Sequence, residues 1–284
     1  MNEPWFVHHV IYRRLTFHLE YQNVSPLRIG AGKAVIPTSP VDLQVVTIKL
    51  REEDVPFIPG SSLKGVFRSA SEFLANSVGL NVCMNGEGCK SKYDNDLQRN
   101  LRMNNLRDVV NVLGKYCLIC KLYGSGSYSS HTYFSDAYPL TGETPLRGVK
   151  TGIAIDRRSG TVKRGALYTV EFVIPYSKFK GTVTFTNVPN YGLGLFAYIL
   201  SQINEGLVKI GGFKSRGFGE MKIKPQSIDG LVLSDGIYKD ITEVKTLASL
   251  DEKDEEVKID IENPENFLKD CEKVWWNYVK KCKS

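Results

Sequence analysis

Arg14-Leu15-Thr16-Phe17-His18-Leu19-Glu20-Tyr21 sets every second side chain on one face, the two-residue period of a half-buried strand. Val41 to Ile48 and His131 to Tyr138 read as further strands. Tyr168, Val170, Phe172 and Ile174 alternate with Thr169, Glu171 and Val173 to predict another, and Leu207 to Ile223 reads as two strand-like pieces around a glycine-rich loop. The period changes after Ile58-Pro59-Gly60. Leu63, Val66, Phe67, Ala70, Phe73, Leu74 and Val78 fall at helical spacing, so the pattern predicts an amphipathic helix to about Val78. Pro59-Gly60 stops the preceding extended run, and Ser61 or Ser62 is expected to cap the new helix. No Glu or Gln stands three residues after either serine, so no side-chain carboxylate is expected to compete for the free N–H groups. Leu193 to Ile203 predicts a second helix and Leu106 to Leu113 a shorter one.

The resulting order is strand, helix, strand, strand, helix, strand. It predicts an α+β chain with a modified ferredoxin-like or RRM-like fold, an antiparallel sheet with two helices and long insertions. The core spans 7–235, interrupted by an Asn-, Lys-, Gly- and Cys-rich insertion at 80–131. A basic stretch at 147–164 is too long for a tight turn and predicts a projecting hairpin or loop. Residues 236–284 form an appendage, an acidic linker followed by a helix with Asn263 as N-cap and Pro264 in its first turn. Phe267, Leu268, Cys271, Val274, Trp275, Tyr278 and Cys282 give that helix an apolar stripe, either packed on the body or offered to a partner subunit.

Charge divides along the same line. Residues 231–284 hold 9 basic and 13 acidic side chains, a net of −4, whereas residues 1–230 hold 28 and 18, a net of +10. A basic body points to a polyanionic partner such as nucleic acid. No apolar run approaches the roughly 20 residues of a membrane span, and the first residues lack a signal-peptide pattern, so the expected location is cytoplasmic.

The cysteines carry the most specific spacing. Cys117-Leu118-Ile119-Cys120 is a CxxC pair, and Cys83 and Cys89 stand at the other end of the insertion. Four thiolates could hold a structural zinc and stiffen a segment with few large apolar residues; a disulfide or mixed pairing and unliganded thiols are the alternatives. Hydrolytic constellations are missing. None of His8, His9, His18 and His131 positions a nucleophile, and neither Gly-X-Ser-X-Gly nor His-Glu-X-X-His occurs. The glycine-rich stretch Gly211-Gly212-Phe213-Lys214-Ser215-Arg216-Gly217-Phe218-Gly219 lacks the Walker spacing. Either a phosphate-facing loop or a structural turn fits it. Lys64 and Arg68 stand four residues apart beside the serine-led helix start, which could seat a phosphate, and Asp42 and Asp136 are the carboxylates standing closest to it in the strand order.

Six segments in order resemble the RAMP superfamily of CRISPR proteins, and within it the backbone (Csm-type) subunit of type III effector complexes. They are Leu27 to Gly32, Val41-Asp42, Ile58 to Gly65, Phe134 to Ala137, Ile155 to Thr161 and Gly211 to Gly219. The resemblance implies an RRM-like subunit that binds CRISPR guide RNA through Ser61, Ser62, Lys64, Arg68, Gly212, Lys214, Ser215 and Arg216. Arg28, Arg157 and Arg158 lie in matching segments, the last two in the stretch that corresponds to a thumb. Further copies of the chain, other effector subunits and target RNA are the implied partners. Target-cleaving members cut with an aspartate and a divalent cation, Mg or Mn, and Asp42 holds that place, although Leu43-Gln44 replaces the small residue and proline usual after it. A non-catalytic scaffold subunit and a guide-processing endoribonuclease are the alternative readings.

Overall fold

The computed structural model describes residues 3–30, 41–50, 52–84, 87–140, 142 and 144–283, with backbone only for 163–166. In chain order the elements are β1 (Arg13–Asn23), β2 (Thr47–Leu50), β3 (Glu53–Pro56), α1 (Gly60–Ser77), α2 (Glu87–Arg102), α3 (Leu106–Gly114) and α4 (Leu118–Tyr123). There follow β4 (Thr132–Phe134), β5 (Tyr138–Pro139), β6 (Arg147–Ile155), β7 (Val162–Val173), β8 (Lys178–Thr186), α5 (Asn190–Asn204), β9 (Met221–Ser234) and β10 (Ile237–Asp240). The chain continues through β11 (Thr246–Leu247) and β12 (Val257–Lys258) to α6 (Pro264–Lys283).

The main sheet runs β10-β9-β1-β8-β4, with β5 also on β8, and every pairing is antiparallel. Numbering β1, β4, β8 and β9 as first to fourth gives the order 4-1-3-2, with α1 after the first strand and α5 after the third. That is the ferredoxin-like arrangement. Alternation along β1 buries Leu15, Phe17, Leu19 and Tyr21 beneath the helices. Phe17 meets Phe185 edge-on at 5.8 Å and stacks on Phe267 at 6.2 Å, and Phe67 stacks on Phe196 at 4.9 Å. One aromatic layer thus joins β1, β8, α1, α5 and α6. Phe73, counted on the buried stripe of α1, is instead 71% exposed.

Three strand readings change. Residues 41–46 form a strap rather than a strand, held by single bridges from Val45 to Gly30 and from Leu43 to Val170; only Thr47–Leu50 is a strand, paired with β3. The alternating run at 168–174 lies in β7, which pairs with β6 as a two-stranded ribbon off the main sheet. The third main strand is β8, just downstream. Leu207–Ile210 forms no strand.

Of the two alternatives for the final helix, the structure has it packed on the body. Phe267, Leu268, Cys271, Val274 and Trp275 belong to the main core. Asn263 accepts the Asn266 N–H as the cap of α6. Asp254 in the acidic linker accepts the Asn190 and Tyr191 N–H groups at 3.0 and 3.1 Å, capping α5. The insertion, expected to be poor in apolar groups, has a cluster of its own: Leu97, Val109, Val112, Leu113, Tyr116 and Tyr128 with Cys89 and Cys120.

Candidate nucleic-acid interface

The glycine-rich loop closes on itself through Ile210 N–H to Gly219 O at 2.8 Å. It is tied to the segment after β1 by Gly212 N–H to Arg28 O at 2.8 Å and Gly219 N–H to Pro26 O at 3.0 Å. Gly211 has φ 90° and Gly219 φ 86°, and a Cβ on either would strike a carbonyl oxygen, of Arg28 and of Ile210 respectively. Only glycine fits there. Between them, Lys214–Arg216 make one exposed turn of 3-10 helix.

Phe213, itself left-handed at φ 59°, lies between two guanidinium groups, Arg28 at 5.4 Å and Arg216 at 5.1 Å from its ring centre. Arg216 Nη1 donates to the Tyr168 hydroxyl at 2.6 Å, and the Tyr168 and Phe213 rings stack at 6.4 Å. Burial pushes the Arg28 pKa down, and its Nε lacks a partner among the described residues. A ring thus holds two cations side by side against their mutual repulsion. Guanidinium donors beside a backbone of this shape suit phosphate oxygens. Phe213 and Tyr168 escaped the sequence reading; an aromatic inside a basic glycine loop was the available signal.

At the head of α1 the capping expectation fails. The N-cap position is Pro59, which has no side-chain cap, and the Gly60 N–H goes to Asp136 Oδ1 at 2.7 Å. Asp136 Oδ2 accepts from the Tyr138 hydroxyl at 3.2 Å. A carboxylate distant in sequence therefore already serves this helix terminus. Ser61 is exposed and Ser62 half-buried beside it. Arg68 is committed inward, with Nε on Glu72 Oε1 at 2.9 Å, Nη1 on Gly124 O at 2.9 Å and Nη2 3.5 Å from Cys120 Sγ. It is a structural strut. Lys64 is half-buried with no carboxylate in ion-pair reach among the described residues, and burial followed by the Arg68 charge lowers its pKa.

The loop is tied to the segment after β1, and the α1 head to the segment after β4. β1 and β9 pair directly, yet the α1 head is bonded to the segment after β4, at the opposite edge of the sheet from β9. Three strand spacings, about 14 Å, separate those edges.

Asp42 sits exposed on the strap. Its Oδ2 accepts from Thr169 N–H at 2.7 Å and Thr169 Oγ1 at 3.0 Å, bonds that lower its pKa. The carboxylate is ionised and anchored to β7. Among the described residues no group of three or more ligating side chains forms around it. Arg157 and Arg158 occupy the exposed tip of the β6–β7 ribbon, where Asp156 Oδ1 accepts the Arg158 and Ser159 N–H groups at 2.8 and 3.0 Å. Ala31 to Lys33 lie outside the described residues.

The four insertion cysteines converge, with all four sulfurs within 4.8 Å of one another, Cys83 lying 3.5 Å from Cys117 and 3.2 Å from Cys120. A tetrahedral ion with 2.3 Å bonds to sulfur needs edges of about 3.8 Å. No pair is at disulfide length, and all four are free thiols. Hydrogen bonds from the Cys120 thiol and amide draw the Cys117 thiol down, toward the thiolate that a metal requires. Four cysteines within metal-binding distance fit a structural ion.

No helix among the described residues is long and apolar enough to cross a membrane. No curated protein matches the chain. Residues 20–222, more than two thirds of the sequence and the stretch that contains the loop, the α1 head and the cysteines, match the family model described as RAMP superfamily. Together with the ferredoxin-like order, this places the chain in the RAMP superfamily, with a CRISPR-associated RNA-binding role.

Proposed function

We propose that the chain is a guide-RNA-binding backbone (Csm-type) subunit of a type III RNA-targeting interference complex. The observation that carries this reading is the Arg28–Phe213–Arg216 stack on a loop bounded by two glycines, Gly211 and Gly219, at which a side chain would strike a carbonyl oxygen. Phosphates and sugars, not base edges, would be the points of grip, which suits a guide of any sequence. Gly212, Lys214 and Ser215 flank the stack, and Arg157 and Arg158 would extend the contact from the ribbon tip toward target RNA. Arg216→Ala should lower the log–log salt slope of single-stranded RNA binding by about 0.7. An unchanged slope removes the loop from the interface.

Cleavage of the target would rest on Asp42. A hard divalent cation, Mg or Mn, is often held by one or two carboxylates plus phosphate oxygens, so one exposed, ionised aspartate beside RNA fits it. The ion would polarise the scissile phosphate. Asp42 would hold it, and the two Thr169 bonds would fix the direction of the carboxylate. The same bonds favour a second reading, a scaffold in which Asp42 merely clips the strap to β7. Asp42→Ala in a reconstituted complex separates the two: loss of regularly spaced target cleavage assigns catalysis to Asp42, and persistence leaves a scaffold. The cysteine set is read as a structural zinc site, which metal analysis of the pure protein checks.

A further inference from the structure

Between α1 and the insertion lies a cleft of about 500 Å³, lined by Ser61, Lys64 and Gly65 on one wall and by Lys90 and Gly124–Gly126 on the other. Two features of it are unexplained by packing. Lys64 is half-buried with no carboxylate in reach among the described residues, and the opposite lysine, Lys90, has only an exposed Glu87 at 3.8 Å. Gly65 stands inside a helix, where glycine is disfavoured relative to alanine, yet a Cβ there would meet nothing within 4 Å. Neither fold nor sterics asks for that glycine. Its effect is to leave the helix backbone bare along the cleft.

The second wall is a turn from the insertion. Gly124 is left-handed at φ 87°, and a Cβ on Gly126 would press on Asp94 and Lys90. The walls present backbone and lysine, with Arg68 and the exposed Glu87 also in the lining, and the tyrosines beneath them, Tyr123 and Tyr128, are buried. A peptide partner would find no apolar anchor here, whereas a phosphodiester needs none.

We propose that this cleft takes a phosphate of a single-stranded nucleic acid between Lys64 and Lys90, with Gly65 and Gly124–Gly126 admitting the sugar-phosphate chain. This rests on the RNA-binding reading above and adds the insertion to it as a second wall. Arg68 is a positioning residue for that wall. One guanidinium holds Gly124 O and reaches the Cys120 sulfur, so the cysteine cluster and the cleft share a strut. Loss of order at the cysteines would withdraw Lys90 from the site.

The test is binding of a uridine homopolymer to the full chain across a salt series. Lys90→Ala should reduce the log–log slope by about 0.7, Lys90→Arg should restore it, and Gly65→Ala should weaken binding although alanine suits a helix better. Stripping metal with a chelator should reduce the slope of the original protein to that of Lys90→Ala and leave the Lys90→Ala slope where it was. If the original protein shows no salt-dependent RNA binding, the RNA reading itself falls. If it binds and Arg216→Ala alters the slope while Lys90→Ala does not, the cleft proposal falls and the loop reading stands. Polyglutamate that binds in a Lys90-dependent way where the RNA does not would identify an acidic protein segment as the occupant and overturn the proposal.

Discussion

The core around β1 and the cysteine insertion both bury rings under helices, but they are held differently. In the core, Leu15, Phe17, Phe67, Phe179, Phe196, Phe267 and Trp275 are buried to 2% exposure or less across two layers. Dispersion and loss of apolar surface suffice there. The insertion gathers eight buried residues, of which two are cysteines and two are tyrosines. Its centre is a buried carboxylate, Asp94, which accepts from Tyr116 Oη at 2.6 Å and Ser127 N–H at 2.9 Å. A cluster so small and polar stays ordered when cross-links supply what apolar area does not. With an ion on the four cysteines, one chain would use two stabilising chemistries, and they should fail separately.

Metal removal is the hardest test of that separation. Structural zinc contributes roughly 10 kcal/mol apparent in small domains, so a chelator, or Cys89→Ser with Cys117→Ser, should release amide protection across 87–131 while β1 and α5 stay protected. Protection retained in the insertion would end the distinction. Trp275→Ala should act the other way. Truncating a fully buried ring costs about 3–5 kcal/mol, read as a lower denaturant midpoint for the main sheet.

His131 lies on the seam. Its Nδ1 is 2.7 Å from Thr186 O and must donate, since a carbonyl only accepts, and its ring stacks on His8 at 4.1 Å. Burial, and then the neighbouring His8, lower its pKa to about 4. The unfolded chain takes up that proton near pH 6.5, before the folded one does. Stability is therefore complete above about pH 6.5 and should fall by about 3 kcal/mol as pH drops to 4. His131→Gln should flatten that part of the profile, and an equally steep profile would place the acid sensitivity elsewhere. The smallest effect belongs to Asp94→Ala. It leaves the buried Tyr116 hydroxyl without its acceptor, a loss of about 1–3 kcal/mol that hydrogen exchange should confine to the insertion.

Local periodicity made β1, α1, α5 and α6 legible, because each carries its apolar face in its own residues. It could not choose between β7 and β8. Both alternate, and only the pairing of β8 with β1 makes it the core strand. α2 was missed since its 16 residues bury only Cys89, Asp94 and Leu97, too few to print a helical stripe. In the site, glycines and the cysteine spacing were readable because backbone shape and ligand chemistry admit few alternatives. The Arg68–Glu72 pair is equally legible, as an i,i+4 ion pair within α1. Strand order brings Asp136 near the α1 head, but its bond there, like the cap from Asp254 at the α5 head, comes from a remote residue and leaves no local trace.

The capping of α5 by Asp254 also bears on synthesis. Eleven of the residues of α5 are buried, between the sheet on one side and α6 on the other. Near the other end of the chain, Arg13 donates to Ala248 O at 3.0 Å. While a ribosome is still translating residues before 264, the nascent chain would hold an uncovered apolar helix. The cover over α5 is complete only when α6 emerges. A nascent chain of this kind depends on prompt release or on a chaperone, and premature stops after α5 should yield aggregates, not shorter functional subunits.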